Sequence, residues 1–297
     1  MHSSSGTAVR LDRWKHDRVA FVPSKDVMKP QFHLPLTTHP EASSFAIIEN
    51  AIQFSLHQGA DLVANLYAAR RHDHEAGETY SDDDAFQAER FDRDIAAQLV
   101  RHLRERAERV CLDVRLVAAD AEAMSATLRP AELARAYDVT ILENTELARP
   151  LIEGLFFDSG RPLLLLPSGD FYGRIDKIAI AWDGSATAAR AASNAYPMIQ
   201  SAAKATVICA RDAAPRSDNL LDRYVEALKH SGLEVALAAV HSDGEDVTSV
   251  IQDAAIEDHA DLLVAGAYGH AKLRETLFGG VTRGLLDNLR IPILLSH

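Results

Sequence analysis

The residues with the most chemical promise are glycines. Gly266 and Gly269 come off an apolar run at 261–265, and Gly279 and Gly280 stand directly before Val281 and Thr282, with nine residues between Gly269 and Gly279. Glycine has no Cβ, so the backbone N–H groups beside it approach an anion closely. A helix opening at Gly279 and Gly280 would add its free N–H groups and positive dipole end. His270, Lys272, Arg274 and Arg283 lie in or beside the same segment. Together these make a phosphate cradle in two parts. Asp183 ends another apolar run, where its carboxylate would accept hydrogen bonds from a ribose hydroxyl. Each residue also has a plainer use. The glycines would serve tight turns, and Asp183 would serve as a helix N-cap or turn residue before Ser185.

Elsewhere the chemistry is thinner. Arg70, Arg71, His72, Asp73, His74 and Glu75 read as a solvated connection rather than a metal cluster, and Asp82, Asp83 and Asp84 suit the N-terminus of the helix that follows. No serine sits in a G-x-S-x-G elbow, and no Cys and His pair has a nucleophile signature. No catalytic residue and no protein metal site is predicted.

A sheet must present the glycines. In the second half, runs at 177–182, 205–210, 234–240, 261–265 and 291–295 read as strands, alternating with helical patterns at 186–199, 219–231, 246–259 and 282–289. The first half shows the same order, with strands at 32–36, 62–68, 112–118, 139–142 and 163–166 and helices at 43–57, 83–109, 122–136 and 146–157. Residues repeat as well as elements: Arg161-Pro162-Leu163-Leu164 answers Ile291-Pro292-Ile293-Leu294, and Tyr137-Asp138-Val139 answers Ala260-Asp261-Leu262. The chain is therefore expected to be an α/β tandem duplication. Each copy is a doubly wound, Rossmann-like domain with a mainly parallel five-stranded sheet flanked by helices. Residues 168–173, with Gly169 and Gly173, form the linker. The expected division is an N-terminal extension at 1–30, a first domain at 31–168 and a second at 174–297; Met1–Gly6 reads as a tag remnant or a native tail.

The chain has 297 residues, 31 Lys plus Arg against 43 Asp plus Glu, and a formal net charge of -12. That balance argues against nucleic acid, because a phosphate-backbone binder needs clustered cations. Cys111 and Cys209 sit in apolar runs without a second ligand, and are expected to be buried, reduced thiols of a cytoplasmic protein. No apolar stretch reaches membrane-helix length, and the N-terminus lacks a signal-peptide core.

These residues resemble the universal stress protein family. The spacing G-x-x-G, nine residues, G is met by Gly266, Gly269 and Gly279, residues 178–185 match the family's first strand and turn, and the closing strand carries Pro292. The resemblance is close over 175–297 and loose over 32–167. It implies an adenine nucleotide, typically ATP, with magnesium carried on its phosphates. Asp183 and the backbone of Gly266 would hold the ribose, the backbone at Gly269, Gly279, Gly280 and Val281 the phosphates, and the backbone at Ala210 or Arg211 the adenine. One departure matters: family members that bind ATP carry Ser or Thr where this chain has Gly280, and Thr282 retains a hydroxyl two places on. The first half departs further, with Glu143-Asn144-Thr145-Glu146 in place of the first glycines and Thr37-Thr38-His39-Pro40 in place of the Asp-Gly-Ser turn. Two carboxylates there would repel a phosphate. The first half reads as a degenerate copy that partners the second.

The function expected is regulatory or protective: a stress-response protein with a nucleotide in its C-terminal half and a protein partner the sequence does not name. The rivals are a scaffold of the same fold without nucleotide, and a slow ATPase. Single-domain relatives commonly pair through their last strands, so 163–166 and 291–295 are expected to pair antiparallel inside the chain, as an internal pseudo-dimer that is free to form a homodimer.

Overall fold

The computed structural model describes residues 28–67, 82–118, 130–210, 218–266, 284 and 286–297. The first half runs β1 (Gln31–Thr37), α1 (Phe45–His57), β2 (Asp61–Tyr67), α2 (Asp82–Arg109), β3 (Val114–Ala118), α3 (Pro130–Ala134), β4 (Val139–Glu143), α4 (Arg149–Asp158) and β5 (Leu163–Leu166). The second half runs β6 (Lys177–Ala181), α5 (Ala186–Asn194), α6 (Tyr196–Ser201), β7 (Lys204–Ala210), α7 (Asp218–His230), β8 (Glu234–Val240), α8 (Val247–Glu257), β9 (Leu262–Gly266) and β10 (Ile293–Ser296). The strands form one ten-stranded sheet in the order β3-β2-β1-β4-β5-β10-β9-β6-β7-β8. Within each half every pairing is parallel.

The halves meet at β5 and β10, which pair antiparallel with Leu163 opposite Leu295, Leu164 opposite Leu294 and Leu165 opposite Ile293. The expected internal pairing is present, and it buries what would otherwise be two apolar edges. Asn144 Nδ2 donates to the Leu286 carbonyl at 2.8 Å, and the Arg149 guanidinium meets the Asp287 carboxylate at 2.5 Å across the same seam.

The duplication extends to single hydrogen bonds. The Asp138 carboxylate accepts from the Gln31 amide at 2.8 Å, and the Asp261 carboxylate accepts from the Asp176 and Lys177 amides at 2.8 and 2.9 Å, so one aspartate per half anchors the start of its central strand. Each half also brings the carbonyl of a proline onto the strand beside it, Pro162 to Thr140 and Pro292 to Leu263. Proline suits that position because it gives up only a donor.

Because side chains alternate along a strand, the sheet has two cores. Leu164, Leu166, Ile178, Ile180 and Leu294 face the one that packs against α1, α2 and α5; Leu163, Leu165, Leu263, Ile293 and Leu295 face the one that packs against α4 and α8. Both cores run through the seam.

Some expectations change. The helix expected to run to 199 breaks into α5 and α6, with Ala195 ending the first and Pro197 in the opening turn of the second. Proline lacks the N–H that would continue α5 and fits a first turn. Cys111 is exposed rather than buried. Its φ of 55° makes it the left-handed residue that ends α2, with the Leu112 amide donating back to the Ala107 carbonyl, and β3 starts only at Val114. Cys209 is buried as expected.

Candidate functional site

In the second half the sheet order places β6 between β9 and β7. Asp183, Gly266 and Ala210 therefore come together at the carboxyl ends of three neighbouring strands. The chain leaves β6 toward β7 on one side and reaches β9 on the other, so this is the switch point at which open α/β sheets form a crevice. Asp183 is exposed, and its Oδ1 accepts from the Ser185 amide at 2.9 Å. Among the described residues its second oxygen has no partner. Ser185 rather than Asp183 is the N-cap of α5, its Oγ accepting from the Ala188 amide at 3.1 Å. Gly184 between them has a φ of 74°, which the sharp turn from strand to helix requires. Just before this turn Trp182 stacks on Tyr224 with ring centroids 4.0 Å apart, and burial pushes the Tyr224 hydroxyl up to about 12.

Gly266 has a packing reason of its own. A Cβ there would lie 2.4 Å from the Ala188 amide nitrogen and 2.6 Å from the Thr187 carbonyl oxygen. The first turn of α5 thus presses on the end of β9, and only glycine fits. This packing use accounts for Gly266 without a ligand. Gly269, Gly279, Gly280, Val281 and Thr282, with His270, Lys272, Arg274, Arg283 and the alternative Arg211, lie outside the described residues. So do 70–75. Among the described residues no three His, Cys, Asp or Glu side chains form a group that would hold a metal ion, and no helix is long and apolar enough to cross a membrane.

The first half is built differently at the same place. The turn after β1 is not a substituted Asp-Gly-Ser: it runs from 38 to 43, and the counterpart of Ser185 is Ser44, whose Oγ accepts from the Ile47 amide at 3.0 Å. Ser43 folds this longer loop back, its Oγ accepting from the Thr37 amide at 2.9 Å while Thr37 Oγ1 donates to the Glu41 carbonyl at 3.0 Å. Glu143 stands where Gly266 stands in the second half, and Ser44 Oγ donates to its carboxylate at 2.5 Å. The helix end that would attract an anion already faces the protein's own carboxylate. Sequence reasoning missed Ser44; the usable signal was a serine three residues before Ile47, at the start of an apolar helical period.

Residues 174–297 match the sequence model of the Universal stress protein family. A search of curated proteins gives no match. Among solved structures, a universal stress protein from Archaeoglobus fulgidus DSM 4304 is similar at 15% identity and a TM-score of 0.65, over 89% of this chain and 95% of that one. A protein assigned to the same family from Pseudomonas aeruginosa UCBPP-PA14 is similar at 17% identity and a TM-score of 0.54, over 90% and 93%. A functionally unknown protein from Pseudomonas aeruginosa PAO1 aligns at 16% identity and a TM-score of 0.52, over 89% and 92%. At these identities the structures speak for the fold, which they share across both halves. The family match is confined to the C-terminal half, and the structures extend the likeness of fold to the first.

Proposed function

We propose that this protein is a member of the universal stress protein family and a cytoplasmic stress-response regulator that binds one adenine nucleotide, ATP in the first instance, in its C-terminal half. The observation that supports the reading most directly is the switch point at the ends of β6 and β9, with an exposed carboxylate at Asp183, a glycine at Gly266, and the glycines 269, 279 and 280 following in sequence. Asp183 and Gly266 take the ribose, Ala210 or its neighbour takes the adenine through the backbone, and the segment from Gly269 to Thr282 takes the phosphates. Magnesium arrives on those phosphates. The bound nucleotide favours one arrangement of the glycine segment and so changes the surface offered to a protein partner. Residues 31–168 act as a degenerate copy that completes the sheet and carries no nucleotide.

The test is the nucleotide content of the purified full-length protein, read from its absorbance at 260 and 280 nm and from the identity of what is released, followed by calorimetry with ATP and AMP. One site per chain is expected, lost in Gly269→Val. Gly280→Ser should tighten ATP by about fivefold to tenfold and leave AMP nearly unchanged, since a hydroxyl donor to a charged group would be added near the phosphates. Absence of any nucleotide binding, or normal binding by Gly269→Val, would leave the scaffold reading in its place.

A further inference from the structure

The N-terminal half contains a cavity of about 520 Å³ at the carboxyl ends of β1 and β4. That volume lies in the range of small-molecule sites. The longer loop after β1 walls one side. Ile47, Leu142, Leu147 and Leu151 supply apolar surface, and Tyr67 lines the cavity with a buried hydroxyl that has no hydrogen-bond partner among the described residues.

The charge at the cavity has one dominant sign. Among the described residues Glu41, Glu143 and His39 are in its lining, and no Lys or Arg is. Both carboxylates are held in place: Glu143 accepts from Ser44 Oγ at 2.5 Å, and Glu41 accepts from Thr145 Oγ1 at 2.8 Å. In each case a single oxygen is engaged among the described residues, which leaves the other for a donor from outside. A phosphate would meet two negative charges at a partly enclosed site, whereas a cation would gain from both. The positive end of α1 does not reverse this, because Glu143 already sits on its N-cap.

We propose that this cavity is a binding site for a small organic cation: an amine with an apolar body, its charged group drawn to Glu41 and Glu143 and its body resting on Ile47, Leu142, Leu147 and Leu151. The first half is then not only a structural partner of the second. It carries a site of opposite charge preference at the equivalent place in the fold.

Calorimetry on the full-length protein with tryptamine and with indole-3-propionate, which share a ring and differ in charge, tests this. Tryptamine should bind one per chain, and indole-3-propionate at least about tenfold more weakly. Glu143→Gln keeps the shape of the side chain and should weaken tryptamine about tenfold. Glu41→Gln lies on an exposed residue, where folding is not at stake, and should weaken it about threefold. Equal affinity for the two indoles, no tryptamine binding at millimolar concentration, or unchanged affinity in both variants would each overturn the proposal. ATP titration of the same samples reports the C-terminal site separately, so either site can fail without the other.

Discussion

His33 should make the stability of the N-terminal half sensitive to mild acid. It lies in β1 with no exposed surface, its Nδ1 3.2 Å from Thr140 Oγ1 and its ring stacked on Tyr137 at 4.8 Å. Burial lowers it from an ordinary value of 6.5 to about 4, with the Asn65 side chain opposing the shift. Burial raises the hydroxyl of Tyr67 near this face above its ordinary value. A histidine with a lowered folded value contributes stability that is fully present above 6.5 and is lost as pH falls toward 4, because the unfolded chain takes the proton first. Between pH 7.5 and 5.0 those two values give a loss of about 2 kcal/mol. The assay is equilibrium urea unfolding of native protein and His33→Phe across that interval. The variant starts lower at pH 7.5, since Thr140 loses a partner, but its profile should be flatter by about 2 kcal/mol. Other titrating groups cancel in the difference. Parallel profiles would refute the reasoning.

Gly266→Ala should destabilise the nucleotide-free protein by about 1 to 3 kcal/mol in denaturant unfolding, because its Cβ would collide with the backbone of α5; a neutral result would remove the packing account of this glycine. Leu164 and Leu294 face each other across the seam and are both fully buried. Each change to alanine should cost about 2 to 5 kcal/mol, and the double variant should show a coupling of about 0.5 kcal/mol or more; strict additivity would mean that the halves do not support one another through this contact. A thiol reagent should label Cys111 in the native protein and Cys209 only after unfolding, and rapid labelling of both would contradict the burial seen at the end of β7.

The topology was legible because it is written in repeats. The Arg-Pro-Leu and Ile-Pro-Ile runs mark the same strand twice; the pairing of the two was implied by the resemblance to single-domain relatives that pair through their last strands, and it covers two apolar edges. The bounds of β5 and β8 match the expected runs, and most others shift by one or two residues at capped ends. Less legible were the places where a single residue answers to a neighbour distant in sequence. Three polar residues, a proline and an alanine separate Thr37 from Ser43 and Ser44, and either serine would serve as a cap by type. The choice of Ser44 depends on where α1 meets the sheet, which no local pattern records. Gly266 is similar: its spacing to Gly269 suggested a ligand, whereas its contact with Thr187 and Ala188 is a matter of how closely a helix sits on a strand. Cys111 has apolar neighbours, yet it is exposed because it ends a helix in the left-handed region.

The comparison of Gly266 with Glu143 carries this difference into function. Both follow the same strand of the repeat, two residues after Val264 in one half and Ile141 in the other, and each faces the first turn of the helix that follows the central strand. With glycine the helix backbone closes onto the strand end. With glutamate the helix is met through its cap, Ser44, and a fixed negative charge stands at the mouth of the crevice. A longer loop then walls a cavity beside it. On the two proposals above, a difference at one position of a duplicated fold sets the sign of the charge each half takes, while the sheet and the anchoring aspartates stay the same. That is why two ligand sites of opposite preference are consistent with one repeated architecture, and why the first half's loss of the glycine pattern need not mean a loss of binding.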